Sequence, residues 1–204
     1  VLSGIYRRFK EKLDAKGIPS GILVQATIGH GWELPEIFPF TRYRNLTDGN
    51  ETYTVCPSDE SFKSFLRDEF RTLAGTHPSC IMVDDDFRLM HRAGHGCACD
   101  NHLAMMKERT GRKWTREELL EAVTAGGRLA PVTEAYISTQ LEPLFACAKA
   151  MRAGIDDVDK TIPGIFCACG NSVEGASEIA KILAGHTGYA LDDRPLPGSV
   201  KDFH

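Results

Sequence analysis

The pattern of apolar and polar positions divides the chain into alternating helices and strands. Apolar residues recur every four positions in residues 3–16 and form one stripe in residues 58–75, which is typical of amphipathic helices. Short apolar runs predict strands, and these lie at residues 22–28, 80–83, 164–169 and 188–191. Further helices are predicted at residues 101–110, 115–125, 133–153 and 171–184. Residues 33–57, rich in Pro, Arg, Asn and Gly, are predicted to be irregular.

Strands that alternate with helices predict a parallel sheet with right-handed crossovers. Reactive side chains follow the predicted strands, as in (β/α) barrels, whose sites gather at the carboxyl ends of the strands. A complete barrel has eight strands and about 250 residues, whereas this chain has 204 residues. The chain also begins inside a predicted helix. We therefore expect residues 1–204 to be a single α/β domain that is a fragment of a larger catalytic barrel, with a small open sheet as the alternative.

Composition and charge restrict the classes of partner. Apolar residues make up 42% of the chain and charged residues 25%, which is ordinary for a globular domain. A net charge of −4 and the absence of a basic run argue against a nucleic-acid partner. No apolar stretch approaches the roughly 20 residues that span a bilayer, and no signal peptide is evident. We expect a cytoplasmic protein with no membrane partner, although Val1 is not a natural first residue and leaves room for an upstream segment.

A cluster of soft ligands lies near the middle of the chain. The seven cysteines are odd in number and clustered, which fits metal ligation or simple burial better than a disulfide framework. Cys97, Cys99 and His102 form a Cys-x-Cys-x-x-His motif that suits zinc. Cys56 is the best candidate for the fourth ligand, because in a parallel layout its loop lies beside the loop that carries Cys97. The alternatives are His91 or His95 as a ligand, or cysteines that are incidental to the loop.

Three successive carboxylates, Asp84, Asp85 and Asp86, end the second predicted strand. Because an unpaired carboxylate is costly in an apolar core, these acids mark where the strand meets solvent, a ligand or a metal. Adjacent carboxylates suit general acid–base chemistry or a divalent cation. The alternative is a solvated loop in which Arg88 and Arg92 neutralise the acids.

His30 and Trp32 follow the first predicted strand in a glycine-containing loop. Their rings suit stacking on a sugar and hydrogen bonding to it. A Trp that only closes the end of a barrel is an equal alternative.

Residues 53–103 resemble glycoside hydrolase family 42, the zinc-containing β-galactosidases. In that family a Tyr-Cys-Pro element opens a helix, a strand ends in Asp-Asn-Glu plus an aromatic residue, and a Cys-x-Cys-x-x-Cys loop follows. The matching stretches of this chain read YTVCPSDESFKSFLRDEF, VDDDF and CACDNH. The resemblance implies a partial (β/α)8 TIM barrel in which the four predicted strands are roughly the third to the sixth.

The resemblance also implies ligands and roles. Cys56, Cys97, Cys99 and His102 match the four ligands of a structural zinc ion, with His102 in place of a cysteine. Asp86 matches the acid/base glutamate of the family.

Two departures from the family pattern concern the acids. The aspartate side chain of Asp86 is one methylene shorter than glutamate. Asp85 stands where the family has asparagine, so it cannot donate an amide hydrogen bond. The family nucleophile would follow a seventh strand, which these residues do not reach.

Together these features predict a β-galactosidase-like glycoside hydrolase segment that acts on a carbohydrate. Asp86 would be the general acid, and Asp84, Asp85, His30 and Trp32 would bind the sugar. The remainder of the barrel, or a second copy of the chain, would complete it. One alternative is a catalytically inactive, zinc-stapled carbohydrate-binding or scaffold domain. Another is a metal-dependent hydrolase with Asp84, Asp86 and a histidine around a divalent ion.

Overall fold

The computed structural model describes residues 2–29, 39–90, 92, 94–168 and 175–187. The helices are α1 (Leu2–Asp14), α2 (Glu60–Ala74), α3 (Asp100–Thr110), α4 (Arg116–Gly126), α5 (Pro131–Asp156) and α6 (Ala176–Ala184), and a 3₁₀ turn (Gly185–Thr187) follows α6. The strands are β1 (Ile22–Val24), β2 (Arg42–Arg44), β3 (Glu51–Val55), β4 (Ile81–Val83) and β5 (Gly164–Phe166).

A parallel sheet with the strand order β1-β4-β5 forms the centre of the fold. Ile22 pairs with Ile81, and Ile81 pairs in turn with Gly164. Ile81 and Val83 of the middle strand are fully buried. The predicted parallel pairing of these three strands is confirmed, although each strand is only three residues long.

The prediction of a partial (β/α)8 TIM barrel is wrong. The described residues form the three-stranded parallel sheet and a separate two-stranded antiparallel sheet of β2 and β3. This hairpin lies in the segment that was predicted to be irregular. The apolar pattern did not indicate it, because its first strand has a single buried residue, Tyr43, between two arginines. Because this hairpin is inserted in the chain between β1 and β4, the strand–helix alternation on which the barrel prediction depended is broken. The predicted fourth strand at residues 188–191 lies outside the described residues.

The predicted helices are present with small changes at their ends, except that residues 171–174 of the predicted helix 171–184 lie outside the described residues and α6 begins at Ala176. Asp59 caps α2, and its carboxylate accepts the backbone N–H groups of Ser61 and Phe62. Thr115 and Glu118 form a capping box at the start of α4. Although α5 has 26 residues, neither it nor any other helix within the described ranges is long and apolar enough to cross a membrane.

The main core lies between the parallel sheet and the packed pair of α2 and α5. Phe62, Leu66 and Phe70 of α2 contribute buried side chains to this core. The two helices approach closely at Gly154, where an added Cβ would lie 2.2 Å from the carbonyl oxygen of Arg67. Three of the candidate metal ligands belong to the same cluster of buried residues, namely Cys56, Cys97 and Cys99.

Candidate metal centre

The four predicted ligands come from two neighbouring parts of the chain and meet in the interior. Cys56 directly follows β3, and Cys97 and Cys99 lie in the loop that leads into α3. His102 lies in the first turn of that helix. All four side chains are buried, and Cys56, Cys97 and His102 have no exposed surface. The hairpin and the start of α3 therefore bring one compact set of ligands together.

Four of the distances between the ligand atoms are close to the edges of a tetrahedral zinc site. Cys56 Sγ lies 3.5 Å from Cys99 Sγ and 3.7 Å from Cys97 Sγ. His102 Nδ1 lies 3.3 Å from Cys56 Sγ and 3.4 Å from Cys99 Sγ. Zinc–ligand bonds of about 2.3 Å to sulfur and 2.0–2.1 Å to nitrogen give tetrahedron edges of roughly 3.8 Å and 3.5 Å. All four ligand atoms lie within 4.8 Å of one another, so this cluster could hold a metal ion.

The hairpin is joined to the ligand loop by backbone pairing. Asn45 and Cys97 form an antiparallel bridge, and the Ala98 N–H donates to the Arg44 carbonyl oxygen at 2.8 Å. The Arg44 N–H also donates to Cys97 Sγ at 3.5 Å. The Cys56 N–H donates to the Thr41 carbonyl oxygen at 2.8 Å, which anchors the end of β3. These bonds fix the position of Cys56 relative to Cys97.

Burial makes these side chains unfavourable as isolated charges. Burial raises the pKa of the Cys97 thiol well above its ordinary value, and its contacts with Cys56 and Cys99 raise it further. Burial alone would lower the pKa of His102, but its contacts with Cys56 and Cys99 raise it to about 9. A divalent cation stabilises thiolates and takes the lone pair of a neutral imidazole. The donor set therefore fits a metal ion better than protons.

Other cysteines and histidines in the described part of the chain lie away from the cluster. Cys147 is buried, its thiol donates to the Pro57 carbonyl oxygen, and burial raises its pKa to about 12. Cys80 is only half-buried. His95, one of the alternative ligands, is exposed and does not join the cluster, and His91 lies outside the described residues.

A buried polar network around Cys97 was not predicted from the sequence. Gln140 on α5 bonds to both the N–H and the carbonyl oxygen of Cys97. Tyr136 donates to the His95 carbonyl oxygen, and Tyr43 accepts the Gly96 N–H. Gln140 lies on the buried face of α5 among apolar residues, and a polar residue in such a stripe is a signal that sequence reasoning could have used.

The predicted general acid, Asp86, is held by backbone groups. Its Oδ2 accepts the N–H groups of Thr27, Ile28 and Gly29 at 2.7, 2.9 and 3.0 Å. Burial raises the pKa of Asp86, and these hydrogen bonds together with Arg92 act in the opposite direction. Within the described residues Oδ1 has no hydrogen-bond partner. The carboxylate thus ties the chain that follows β4 to the chain that follows β1.

Arg92 strengthens the same connection. Its guanidinium donates to the carbonyl oxygens of Gly29 at 2.6 Å and of Asp86 at 2.5 Å. It also donates to Thr54 Oγ1 at 3.3 Å and to the Arg88 carbonyl oxygen at 2.8 Å. Arg92 therefore links the segments that follow β1 and β4 to Thr54 of β3, two residues before the ligand Cys56.

The remaining predicted sugar-binding residues have different surroundings. Asp85 is half-buried and pairs with Arg88 at 2.8 Å. Asp84 is half-buried at the carboxyl end of β4, and its side chain makes no hydrogen bond or ion pair with any other described residue. Neither acid belongs to a group of ligands that could share an ion within the described residues. His30 and Trp32 lie outside the described residues.

Comparison with known proteins gives no relative for this chain: no family model, curated protein or solved structure matches it significantly. The resemblance to glycoside hydrolase family 42 therefore stays a prediction. The arrangement of the four ligands is the observation that bears on function.

Proposed function

We propose that this protein binds zinc through Cys56, Cys97, Cys99 and His102 and that the ion has a structural role. The observation that carries this proposal is the near-tetrahedral set of four buried ligand atoms, all within 4.8 Å of one another. Three thiolates and one imidazole are the soft and borderline ligands that zinc prefers. Four protein ligands also leave no open position for water or substrate, which favours a structural ion over a catalytic one.

The metal content of the purified protein tests this proposal. Elemental analysis should find equimolar zinc in the wild type. Cys97→Ser should lose the ion, because a hydroxyl is a poor zinc ligand at neutral pH. Cys147→Ser is the matched control, since it alters a buried cysteine outside the cluster that bonds only to a carbonyl oxygen. A folded wild type without metal, or a Cys97→Ser variant that keeps equimolar zinc, would overturn the proposal.

A second candidate function is hydrolysis of a carbohydrate by a β-galactosidase-like mechanism. The observation that favours it is the position of three carboxylates at the carboxyl end of β4, the middle strand of the parallel sheet. Ligands of open α/β sheets bind at the carboxyl ends of the strands. Burial raises the pKa of Asp86, and a raised pKa suits a general acid that protonates a leaving glycosidic oxygen. This candidate also depends on the resemblance of residues 53–103 to family 42.

Leaving-group dependence tests the role of Asp86. Aryl β-galactosides with good leaving groups need little protonation, whereas alkyl β-galactosides need a proton donor. Asp86→Asn should therefore slow hydrolysis of the alkyl substrates by about 10²–10⁴-fold and spare the aryl substrates. Asp84→Asn, which removes a carboxylate that would bind the sugar, should weaken the binding of both substrate classes equally and so controls for the loss of a nearby charge. Binding of galactosides without turnover would favour the inactive carbohydrate-binding alternative, and neither binding nor turnover would overturn both.

A further inference from the structure

We propose that Gln140 is a positioning residue of the metal centre, whose side-chain amide holds the Cys97 peptide so that Cys97 Sγ faces the other three ligands. This inference rests on the proposed metal binding. It assigns a role to a residue that is distant in sequence from all four ligands and belongs to a different helix.

The Gln140 amide pairs with both backbone groups of one ligand residue. Its Oε1 accepts the Cys97 N–H at 2.7 Å, and its Nε2 donates to the Cys97 carbonyl oxygen at 3.1 Å. Gln140 has no exposed surface. A buried backbone group without a partner is costly. These two bonds satisfy the N–H and the carbonyl oxygen of Cys97 and hold its backbone in one orientation.

Only one orientation of the Gln140 amide satisfies Cys97. The Cys97 N–H can only donate and its carbonyl oxygen can only accept, so Oε1 must face the first and Nε2 the second. Thr139 Oγ1, which donates to the Tyr136 carbonyl oxygen, also lies 3.3 Å from Nε2 and can accept from it. A glutamate at position 140 would keep the acceptor and lose the donor, which makes Gln140→Glu an informative variant.

The residues before Cys97 are packed against the same helix. The Tyr136 hydroxyl donates to the His95 carbonyl oxygen at 3.1 Å. Gly96 has a φ of +99°, and a Cβ at this position would lie 2.4 Å from Tyr136 Oη and 3.2 Å from Gln140 Oε1. The loop therefore fits closely against α5. The backbone of Cys97 faces the Gln140 amide, and its side chain faces the ligand cluster.

Groups that hold a metal ligand in place affect metal binding without touching the ion. Removing such a partner typically weakens metal affinity by about 10–100-fold. We expect zinc release from Gln140→Met and Gln140→Glu to a competing chelator to be faster by about 10–100-fold. The visible absorption bands of the cobalt-substituted variants should also shift, because the sulfur of Cys97 is less strictly placed.

Met151→Ala is the control for a general loss of stability. Met151 is buried on the same helix and belongs to the main core rather than to the Cys97 network. This variant should lower the thermal midpoint while the cobalt spectrum and the zinc release rate remain those of the wild type. A wild type that binds neither zinc nor cobalt would overturn the proposed function itself. A wild type that binds both, with Gln140 variants indistinguishable from it, would overturn only the role of Gln140.

Amide exchange in the wild-type protein tests the proposal even if the Gln140 variants do not fold. The Cys97 N–H is buried and bonded to Gln140, so it should exchange slowly with deuterium in the zinc-loaded protein. Rapid exchange of this amide, while the core amides of α5 stay protected, would show that Gln140 does not hold the Cys97 peptide.

Discussion

The metal centre and the acidic end of β4 both bury ionisable side chains, but they use them in different ways. At the metal centre, the ligand atoms of Cys56, Cys99 and His102 face one another at 3.3–3.5 Å. At the strand end, Asp86 faces three backbone N–H groups. The first arrangement leaves lone pairs for a cation, whereas the second uses them to hold the chain.

This difference follows from the chemistry of the two side chains. A thiol is a weak hydrogen-bond donor and acceptor, so three buried thiols gain little from one another unless a metal ion binds. A carboxylate accepts several strong hydrogen bonds, so backbone amides can satisfy it without any ligand. The role of a reactive side chain therefore depends on which atoms surround it, and its position at the end of a strand is not enough to assign that role.

Removal of the proposed metal ion should have the largest effect, and it should affect the two regions unequally. Because zinc binding contributes several kcal/mol to folding in structural sites, chelation should greatly lower the thermal midpoint. Hydrogen exchange should show loss of protection first in β2, β3 and the start of α3. Equal protection of the hairpin amides with and without chelator would contradict a structural ion.

Replacement of Asp86 should have the next largest effect. Asp86→Ala leaves three backbone N–H groups without their acceptor, and we expect a loss of about 3 kcal/mol in the free energy of unfolding. Asp84→Asn, a half-buried neighbour without such bonds, should change it by less than about 0.5 kcal/mol. Urea denaturation of both variants measures the difference, and equal stabilities would show that Asp86 does not hold the loop after β1.

Arg92→Lys should lower the free energy of unfolding somewhat less, by about 2 kcal/mol, because lysine lacks the planar guanidinium that reaches several acceptors at once. Arg92 donates to Gly29, Asp86 and Thr54. Arg88→Lys is the matched control, since Arg88 pairs with the half-buried Asp85 and a lysine can keep a single ion pair, so the expected loss is about 1 kcal/mol or less. Thermal denaturation should rank the variants in this order, and the reverse order would refute the role given to Arg92.

Asp59, which caps α2 beside the metal centre, should make a smaller contribution to the free energy of unfolding, and acid should remove this contribution. Partial burial raises its pKa, but hydrogen bonds from Ser61 and Thr41 lower it to about 2. A carboxylate whose folded pKa is depressed stabilises the fold above its unfolded pKa, and this stability is lost as the pH falls toward about 2. Asp59→Ala should therefore cost about 1 kcal/mol at neutral pH and almost nothing near pH 2. A constant difference in thermal midpoint across this pH range would contradict the assignment.

The sequence allowed the ligands to be predicted better than their surroundings. Cys97, Cys99 and His102 lie within six residues, so local spacing alone placed them together, and the predicted fourth ligand, Cys56, lies in the same cluster in the structure. The three parallel strands could be predicted equally well, because continuous apolar runs indicate buried strands.

The hairpin and the Gln140 network could not be predicted in the same way. Tyr43 is the one buried residue of β2, too short a pattern to distinguish a strand from a loop. Gln140 reaches Cys97 across 43 positions of sequence, and nothing local relates the two residues. The hydrogen-bond partners of Asp86 could not be predicted for a similar reason, since they are backbone groups that carry no sequence signature.

The wide separation of Cys56 from the other three ligands has a consequence for the folding reaction. Cys56 and Cys97 are 41 residues apart, and α2 and β4 lie between them. Closing a loop of this length costs an unfolded chain about 3 kcal/mol of conformational entropy. Cys97, Cys99 and His102 can capture an ion while most of the chain is still unfolded, whereas Cys56 can join only when the long loop closes. Completion of the proposed metal site would then coincide with the docking of α2 and the middle strand, so that metal binding and formation of the core would be coupled through closure of this loop.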